Sequence, residues 1–568
     1  MAKNNRLFVV GLLLIGVLLA AGCVAISPVE SGSGSMDSAS QPNAVDAALQ
    51  FAATGEPLNV TVDGAPLVVT KYTVTYVANP VAIEGATDPT AWQKMHIYVP
   101  ATAAEDQETA IILAVRNSGW MNSPAPEAEQ ASIQDGAAYV SNSDTDRSGA
   151  ALAAGYVFVD VGTRSRGLVD ATGAFPGKAP AVVVDAKAAI RYLRLNDALI
   201  PGSSDRIVVT GTSGGGGLST ALAASGNSPD YLPYLAAIGA AGIDASGAST
   251  LNDDVFAVIA YCPITDLGNA DIAYEWQYSD IRQVGDPLSG PVGFIPWYTG
   301  ALTQEMMDAS LALKPQYAAY LASLGLVFDD GAPLTADTMP DAITGLVKAS
   351  VEKALAAGVA VPDLGESWTL QTGPNPAQEY VNTWLDLNDA RDAVEGIDYT
   401  EFLRFVVATA PLKGAPSFDV TGTMGVTSQE SGESNLFGAE TVEYSNFMQW
   451  AWDNNNVAGD GSGADDTGLT WAQYLPGSQL EAQIKLINPM AYLVDAANGA
   501  SAPYWYVRHG LRDRDTSFAV EAALFYAVKN DPTVQDANVG LAYIEGHNGD
   551  YDVQEAYAWL AGVLASQP

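Results

Sequence analysis

The chain has 568 residues, and 48% of them are hydrophobic, so it can bury a large core without disulfide bonds. Its 65 acidic and 25 basic residues give a formal net charge of -40 at pH 7. A field of that sign repels a polyanion, which excludes nucleic acid as a partner and favours a neutral substrate. With 3 His and 2 Cys the chain lacks the ligands of a zinc site, and we predict no metal or other cofactor.

The first 22 residues have the pattern of a lipoprotein signal peptide. Lys3 and Arg6 precede an apolar run over 7–21, which is short for a membrane span. Small residues then lead to Cys23, as in a lipobox, where the cysteine is acylated and becomes the new N-terminus. The sequence therefore predicts an exported bacterial lipoprotein, anchored in the envelope or at the cell surface through Cys23. Simple secretion is the alternative.

The mature chain is predicted to begin with a flexible tether and to continue as an α/β domain. Residues 23–57 are rich in Ser, Gly, Pro and Ala, a composition typical of flexible linkers. The predicted strands cover 68–77, 94–99, 110–116, 156–162, 206–210 and 255–262, and a helix is predicted over 181–195. This alternation predicts a doubly wound, mostly parallel sheet.

The most informative motif follows the strand over 206–210. Gly211-Thr-Ser213-Gly-Gly215 is a G-x-S-x-G turn between an apolar strand and a helix, which predicts the nucleophile elbow of the α/β-hydrolase fold. Glycine at both ends lets the strand and the helix pass close together, and the turn exposes the hydroxyl of Ser213. The backbone N–H of Gly214 is then expected to point at a developing oxyanion.

The histidines narrow the choice of catalytic base, because in this fold the triad runs in the order Ser, acid, His. Two further strands are predicted over 504–508 and 539–544, and His547 lies in a loop between the second of them and the last helix, where the base belongs. His96 precedes the serine and is predicted to be a strand residue, and His509 comes before the acid and is predicted to be structural. Asp513 follows the penultimate strand and is the predicted acid, with Asp515 as its rival.

A long insertion separates the serine from the acid. The alternation stops after about residue 263, and we predict an inserted lid over 266–486, with helices over 304–324 and 342–357. The hydrolase domain is then made of 58–265 and 487–568. Two Asp-rich stretches within 453–466 depart from the EF-hand spacing and are predicted to be solvated loops rather than calcium sites.

Seven segments carry a pattern more specific than the elbow alone. They are 211–219, 225–231, 261–266, 273–277, 508–510, 513–517 and 546–552, the last reading Gly-His-Asn-Gly-Asp-Tyr-Asp. Together they resemble the bacterial tannases of the α/β-hydrolase type, which are relatives of feruloyl esterases. The resemblance covers most of the chain after about residue 60.

The resemblance implies roles for individual residues. It implies that Ser213 is the nucleophile, His547 the base and Asp513 the acid, and that the second oxyanion donor is the N–H of Gly119. It also implies a pocket for the three phenolic hydroxyls of a galloyl group. The residues matching the pocket are Lys413, Asp515 and Glu433, with Glu430 as the alternative to Glu433.

The sequence thus predicts a serine esterase that hydrolyses galloyl esters by acyl transfer. A feruloyl esterase or general carboxylesterase with the same triad is the first alternative. An inactive hydrolase that binds plant polyphenols at the surface is the second, and an intact triad in the expected order argues against it.

Overall fold

The computed structural model describes residues 43–288, 300–372, 376–422, 432–459, 461–495 and 498–566. The predicted signal peptide 1–22, the predicted lipidation site Cys23 and the first part of the predicted tether lie outside the described residues. In the described part of the chain, no helix is both long and apolar enough to cross a lipid bilayer.

Ten of the strands form one sheet, in the order β14-β13-β8-β7-β4-β6-β3-β2-β1-β5. The strands β4, β6, β7, β8, β13 and β14 are parallel, whereas β2 and β3 pair antiparallel with their neighbours. The strands are β1 Glu56–Val62, β2 Ala65–Thr75, β3 Lys94–Pro100, β4 Ile111–Ala114, β5 Ala138–Tyr139, β6 Val157–Val161, β7 Ile207–Thr212, β8 Ala257–Tyr261, β9 Ser367–Leu370, β10 Gln378–Val381, β11 Leu385–Leu387, β12 Val394–Ile397, β13 Tyr504–Gly510 and β14 Asp536–Ala542. This mixed sheet confirms the predicted α/β-hydrolase fold.

Helices cover both faces of the sheet. They are α1 Ala44–Ala48, α2 Arg147–Ala153, α3 Ala181–Leu195, α4 Gly214–Ala224, α5 Leu232–Ala237, α6 Leu267–Tyr278, α7 Gln304–Leu313, α8 Gln316–Ser323, α9 Met339–Ala356, α10 Tyr399–Thr409, α11 Gln449–Asn454, α12 Ala464–Thr467, α13 Trp471–Tyr474, α14 Gln479–Leu486, α15 Met490–Leu493, α16 Phe518–Asn530 and α17 Val553–Ala565. Successive strand residues point to opposite faces. Val209 therefore packs in the core shared with α3, α4 and α16, and Val208 in the core shared with α2 and α17.

The residues just before β1 belong to the packed domain. The N–H of Gly242 donates to Asp46 Oδ1 at 2.7 Å, and the N–H of Phe51 donates to Asn196 Oδ1 at 2.7 Å. Leu49 is buried. Residues 43–57, which the composition placed in the flexible tether, are thus held against the domain by hydrogen bonds and an apolar contact.

The inserted segment contains two small antiparallel sheets, β9–β10 and β11–β12, and the helices α6 to α14. It shares its apolar core with the hydrolase domain, because Phe402 of α10 packs on Phe518 of α16 at a ring distance of 5.3 Å. The helix predicted over 304–324 is divided at Pro315 into α7 and α8, since proline cannot donate to the preceding turn.

A buried ionic cluster fixes α3 to the segment between α5 and β8 and offers a test of stability. Asp253 accepts from Lys187 Nζ at 2.8 Å and from Arg191 Nη1 at 3.0 Å, and all three side chains are buried. Asp253→Ala leaves two buried cations without their partner, so we expect the free energy of unfolding to fall by about 3–5 kcal/mol. The exposed pair of Arg194 and Asp205 gives the control: Asp205→Ala should cost less than about 1 kcal/mol. Denaturant unfolding measures both, and equal losses would contradict the expectation.

Candidate active site

The turn after β7 has the geometry of a nucleophile elbow. Ser213 has a positive φ of 60° and is the N-cap of α4. A Cβ atom on Gly211 would lie 2.4 Å from the carbonyl oxygen of Gly215, so only glycine allows the strand and the helix to approach this closely. The N–H of Ser213 donates to the carbonyl of Tyr261 at 2.9 Å, which ties the strained turn to β8.

Ser213, His547 and Asp513 form one hydrogen-bonded chain. His547 Nε2 lies 2.8 Å from Ser213 Oγ, and His547 Nδ1 lies 2.8 Å from Asp513 Oδ2. Asp513 is buried, and its other oxygen accepts the N–H of Asp515 at 2.8 Å. In sequence, His547 is 34 residues from Asp513 and 334 residues from Ser213. The three residues nevertheless meet at the carboxyl ends of β7, β13 and β14.

Asp513 and His547 shift each other's pKa. Burial alone would lower the pKa of His547, but the nearby Asp513 carboxylate outweighs it, and the pKa of His547 is raised. Burial alone would raise the pKa of Asp513, but the two imidazoles of His547 and His509 hold it below its usual range. The pair thus stabilises the imidazolium that forms when His547 takes a proton.

The two predicted oxyanion donors come from adjacent segments. A Cβ atom on Gly214 would lie 2.1 Å from the backbone nitrogen of Trp120, so the start of α4 lies against the loop after β4. Gly119 in that loop has a positive φ of 58°, and its carbonyl accepts from Arg166 Nε at 2.6 Å. The arginine holds the Gly119 peptide in place, a role that sequence reasoning did not find.

The predicted galloyl ligands lie around the same site. Asp515 Oδ2 is 3.7 Å from His547 Nδ1, and its Oδ1 is paired with Arg514. Lys413 Nζ lies over the ring of Phe418 at 4.0 Å. Burial lowers the pKa of Lys413 to about 8, and the opposing charge of Glu433 acts on it in the other direction. Glu433 is buried, and the alternative residue Glu430 lies outside the described residues.

Comparisons with known proteins agree with this geometry. A family model described as BD-FAE matches residues 95–284. The structure titled "Tannin acyl hydrolase in complex with ethyl gallate" shares 30% identity over 91% of this chain and 99% of that chain, with a TM-score of 0.70. Lactobacillus plantarum tannase shares 30% identity over 91% of this chain and 100% of that chain, with a TM-score of 0.69. Fusobacterium nucleatum tannase shares 28% identity over 91% of this chain and 99% of that chain, with a TM-score of 0.69. No curated protein matches the chain.

The chain belongs to the bacterial tannase family. Its neighbours in that family are carboxylic ester hydrolases, and the chain is an enzyme of the same class. The resemblance inferred from the seven sequence segments is thereby confirmed.

The other two histidines of this tannase-family chain, His96 and His509, are buried and make contacts within the fold. His96 is buried in β3, with Nδ1 2.9 Å from Thr73 Oγ1 and Nε2 3.0 Å from the carbonyl of Pro126. His509 is buried at the end of β13, and its Nδ1 lies 3.5 Å from Asp513 Oδ2 and 3.7 Å from Glu521. These places agree with the prediction that neither is the base.

Two buried carboxylates hold the segments that carry Lys413 and Glu433. Asp271 of α6 accepts the N–H groups of Ser417 and Phe418 at 2.5 and 2.8 Å. Asp419 accepts the N–H groups of Phe447 and Met448 at 2.7 and 2.9 Å. Sequence reasoning did not assign a role to Asp271 or Asp419, because each carboxylate acts through backbone N–H groups, which any residue offers.

Cys262 lies next to the loop that carries His547. Its Sγ is buried, 3.8 Å from the carbonyl of Gly546, and burial raises the pKa of the thiol to about 11. In the described part of the chain, Cys262, Asp513 and His547 are the one group with three potential metal-ligand atoms close together.

The Asp-rich loops use their carboxylates within the fold. Asp453 Oδ1 accepts the N–H of Trp471 at 2.7 Å, and Asp466 Oδ1 accepts the N–H of Gly459 at 3.0 Å. Asp460 lies outside the described residues. The prediction of solvated loops is therefore wrong for part of this stretch, because Asp453 lies at the end of α11 and Asp465 and Asp466 lie in α12.

Proposed function

We propose that the chain is a serine esterase that hydrolyses galloyl esters to gallic acid and an alcohol. The observation that carries the proposal is the hydrogen-bonded chain from Ser213 through His547 to Asp513, with Asp515 beside His547. Two solved structures of tannase-family neighbours are complexes, one with ethyl gallate and one with 3,4-dihydroxybenzoate.

The proposed reaction proceeds through an acyl-enzyme. His547 Nε2 takes the proton of Ser213 Oγ, and Oγ bonds to the ester carbonyl carbon, whose oxygen becomes an oxyanion facing the N–H groups of Gly214 and Gly119. When the carbon–alkoxy bond breaks, the leaving oxygen takes the proton from His547. Water then gives its proton to His547 and attacks the acyl carbon, and Ser213 leaves with that proton, which releases gallic acid.

The proposed acyl pocket binds the three adjacent phenolic hydroxyls. Asp515 and Glu433 offer carboxylates that accept from these hydroxyls, and Lys413 offers a donor. A site that hydrogen-bonds substrate hydroxyls rejects rings that lack them, because its buried polar groups are then left unpaired. The ring of the buried Phe418 packs against Lys413 Nζ and positions this donor.

The acyl group is tested with the chain lacking residues 1–23 on propyl gallate, ethyl ferulate and p-nitrophenyl acetate. We expect a strong preference for propyl gallate. Asp515→Ala and Lys413→Ala should each lower kcat/KM for propyl gallate about 10- to 100-fold, the value of a lost charged hydrogen bond, while the acetate ester is affected little. The control is Asp205→Ala, which removes an exposed carboxylate at the start of β7, the end of the strand opposite to Ser213.

The same assay separates the alternatives. Comparable turnover of all three esters, indifferent to Asp515→Ala, would overturn the galloyl assignment and leave a general carboxylesterase. Preference for ethyl ferulate would indicate a feruloyl esterase in place of a galloyl esterase.

We also propose that the protein is exported and anchored to a bacterial membrane by acylation of Cys23. The support is the charged, apolar and small-residue order of residues 1–23. Cell fractionation of the full chain should place the activity with the membranes, and Cys23→Ala should move it to the soluble fraction. A variant that stays with the membranes would contradict the anchor.

A further inference from the structure

A second buried imidazole lies behind the proposed acid of the triad. His509 Nδ1 is 3.5 Å from Asp513 Oδ2, the same oxygen that lies 2.8 Å from His547 Nδ1. Glu521 Oε1 lies 3.7 Å from His509 Nδ1. The side chains of Glu521, His509, Asp513 and His547 therefore form one row, which ends at the hydroxyl of Ser213.

The first two members of this row are buried polar side chains that the proposed mechanism does not use. The side chains of His509 and Glu521 have no exposed surface. Neither their two ring nitrogens nor their two carboxyl oxygens form a hydrogen bond of standard geometry with any residue that the structure describes. A buried polar group without a partner costs free energy of folding, so the reason for its presence lies elsewhere than in stability.

Apolar neighbours strengthen the electrostatic contact between His509 and Asp513. The ring of Phe518 meets the His509 imidazole edge to face at a centroid distance of 5.3 Å, and Phe402 packs on Phe518 in turn. In such surroundings the attraction between an N–H group and a carboxylate is larger than in water. Contacts of this length between groups of an active site often shorten when substrate is bound.

The charges of the row follow from its burial. Burial raises the pKa of Glu521 well above its usual range, which keeps this carboxyl protonated, and burial lowers the pKa of His509, which keeps its imidazole neutral. Burial also acts to raise the pKa of Asp513, but the imidazoles of His547 and His509 hold it low, and Asp513 is ionised. A neutral imidazole carries one N–H, and the nitrogen that faces both carboxyl groups is Nδ1. The proton of His509 therefore belongs on Nδ1.

We propose that His509 is a positioning residue for the acid of the triad, donating its Nδ1–H to Asp513 Oδ2. Glu521 holds the His509 imidazole in place, because its carbonyl oxygen is a second acceptor for the same N–H. The inference rests on the proposed function, since it concerns the acid of that reaction. His509 is too deeply buried to reach a substrate and acts through Asp513.

Three donors then hold the Asp513 carboxylate. Its Oδ1 accepts the N–H of Asp515, and its Oδ2 accepts from His547 and from His509. A carboxylate held at both oxygens does not rotate about its Cβ–Cγ bond. Oδ2 thus stays in line with His547 Nδ1 while the imidazole of His547 gains and loses its proton on Nε2.

A matched pair of variants tests the proposed donor. Asn and Leu have nearly the same shape, but only His509→Asn keeps an N–H near the place of Nδ1. We expect His509→Leu to lower kcat about 10- to 100-fold on both propyl gallate and p-nitrophenyl acetate, the range of a lost hydrogen bond to a charged group. KM should stay almost unchanged, and His509→Asn should recover most of the loss.

Glu521 gives a second matched pair at the other end of the row. Glu521→Gln keeps the carbonyl acceptor and the uncharged state, so kcat should stay within about threefold of the unmodified enzyme. Glu521→Met has a similar length without an acceptor and should lower kcat on both esters by about tenfold, with KM almost unchanged. If His509→Leu does not fold, the Glu521 pair decides by the same criterion.

His96→Leu is the control for the loss of a buried histidine. His96 lies in β3 and forms two hydrogen bonds away from the triad, so this variant should lower Tm and leave kcat nearly unchanged. If the Asn and Leu variants of His509 lose kcat equally, or both keep it, while Asp513→Asn shows its large loss, His509 is no positioning residue and the triad stands. A loss of kcat that follows Tm across the variants has the same meaning. If Ser213→Ala and Asp513→Asn keep full activity, the proposed function fails, and this inference fails with it.

Discussion

Ser213→Ala is expected to lower kcat on propyl gallate by a factor of about 10⁶. The variant removes the oxygen that forms the acyl-enzyme, and no described neighbour can replace it, because His547 Nε2 points at this hydroxyl. What remains is the stabilisation given by the oxyanion donors and substrate binding, roughly 10³ over water. Initial rates on purified protein, with product followed over hours, measure the loss.

Ser219→Ala is the matched control for the nucleophile. Ser219 lies in α4, the helix that begins at Ser213. It is buried, and its hydroxyl donates to the carbonyl of Gly215. This variant should stay near full activity. A fluorophosphonate should label the unmodified enzyme and the control, but not Ser213→Ala. Full activity of Ser213→Ala on every ester would refute the acyl-enzyme mechanism, and labelling also excludes the inactive polyphenol binder.

Asp513→Asn is the second large effect, and we expect a loss of about 10⁴ in kcat on every ester. The amide keeps the size of the side chain but no longer fixes the Nδ1–H tautomer of His547 or stabilises its charged form. Because the Asp513 carboxylate raises the pKa of His547, its removal lowers that pKa. The neutral base then appears at lower pH, so the acid limb of the kcat/KM profile should move to lower pH as the rate falls.

Asp515→Asn is the comparison that separates the two candidate acids. Asp515 lies 3.7 Å from His547 Nδ1 and Asp513 lies 2.8 Å away, so the second is the one within hydrogen-bond distance. We expect Asp515→Asn to weaken propyl gallate turnover and to leave p-nitrophenyl acetate turnover almost intact. The reverse pattern, with the acetate lost in Asp515→Asn and kept in Asp513→Asn, would exchange their roles.

The parts of this fold that sequence could predict are those with a local signal. The helix over 181–195 has the same bounds in the structure, because its apolar period is complete from end to end. The place of Ser213 followed from a turn that glycine makes possible. His547 followed from chain order, since the chain has 3 histidines and one comes after the acid.

The parts that sequence could not predict depend on contacts between distant segments. The strands β1 and β5 pair with each other at a sequence separation of 77 residues, and β5 has two residues, too few for a periodic pattern. Arg166 acts on Gly119 through a carbonyl, and any residue offers a carbonyl, so no spacing reveals it. Asp271 likewise stabilises a loop 146 residues away through backbone N–H groups.

The burial of Cys262 bears on how the enzyme would withstand gallic acid, the product of the proposed reaction. Gallic acid oxidises in air to quinones, which are electrophiles that alkylate thiolates. The reactive form of a cysteine is the thiolate, and a buried thiol whose pKa is raised to about 11 stays protonated and out of contact with solvent. The thiol behind the His547 loop is therefore protected from the quinones that the product of the proposed reaction would form.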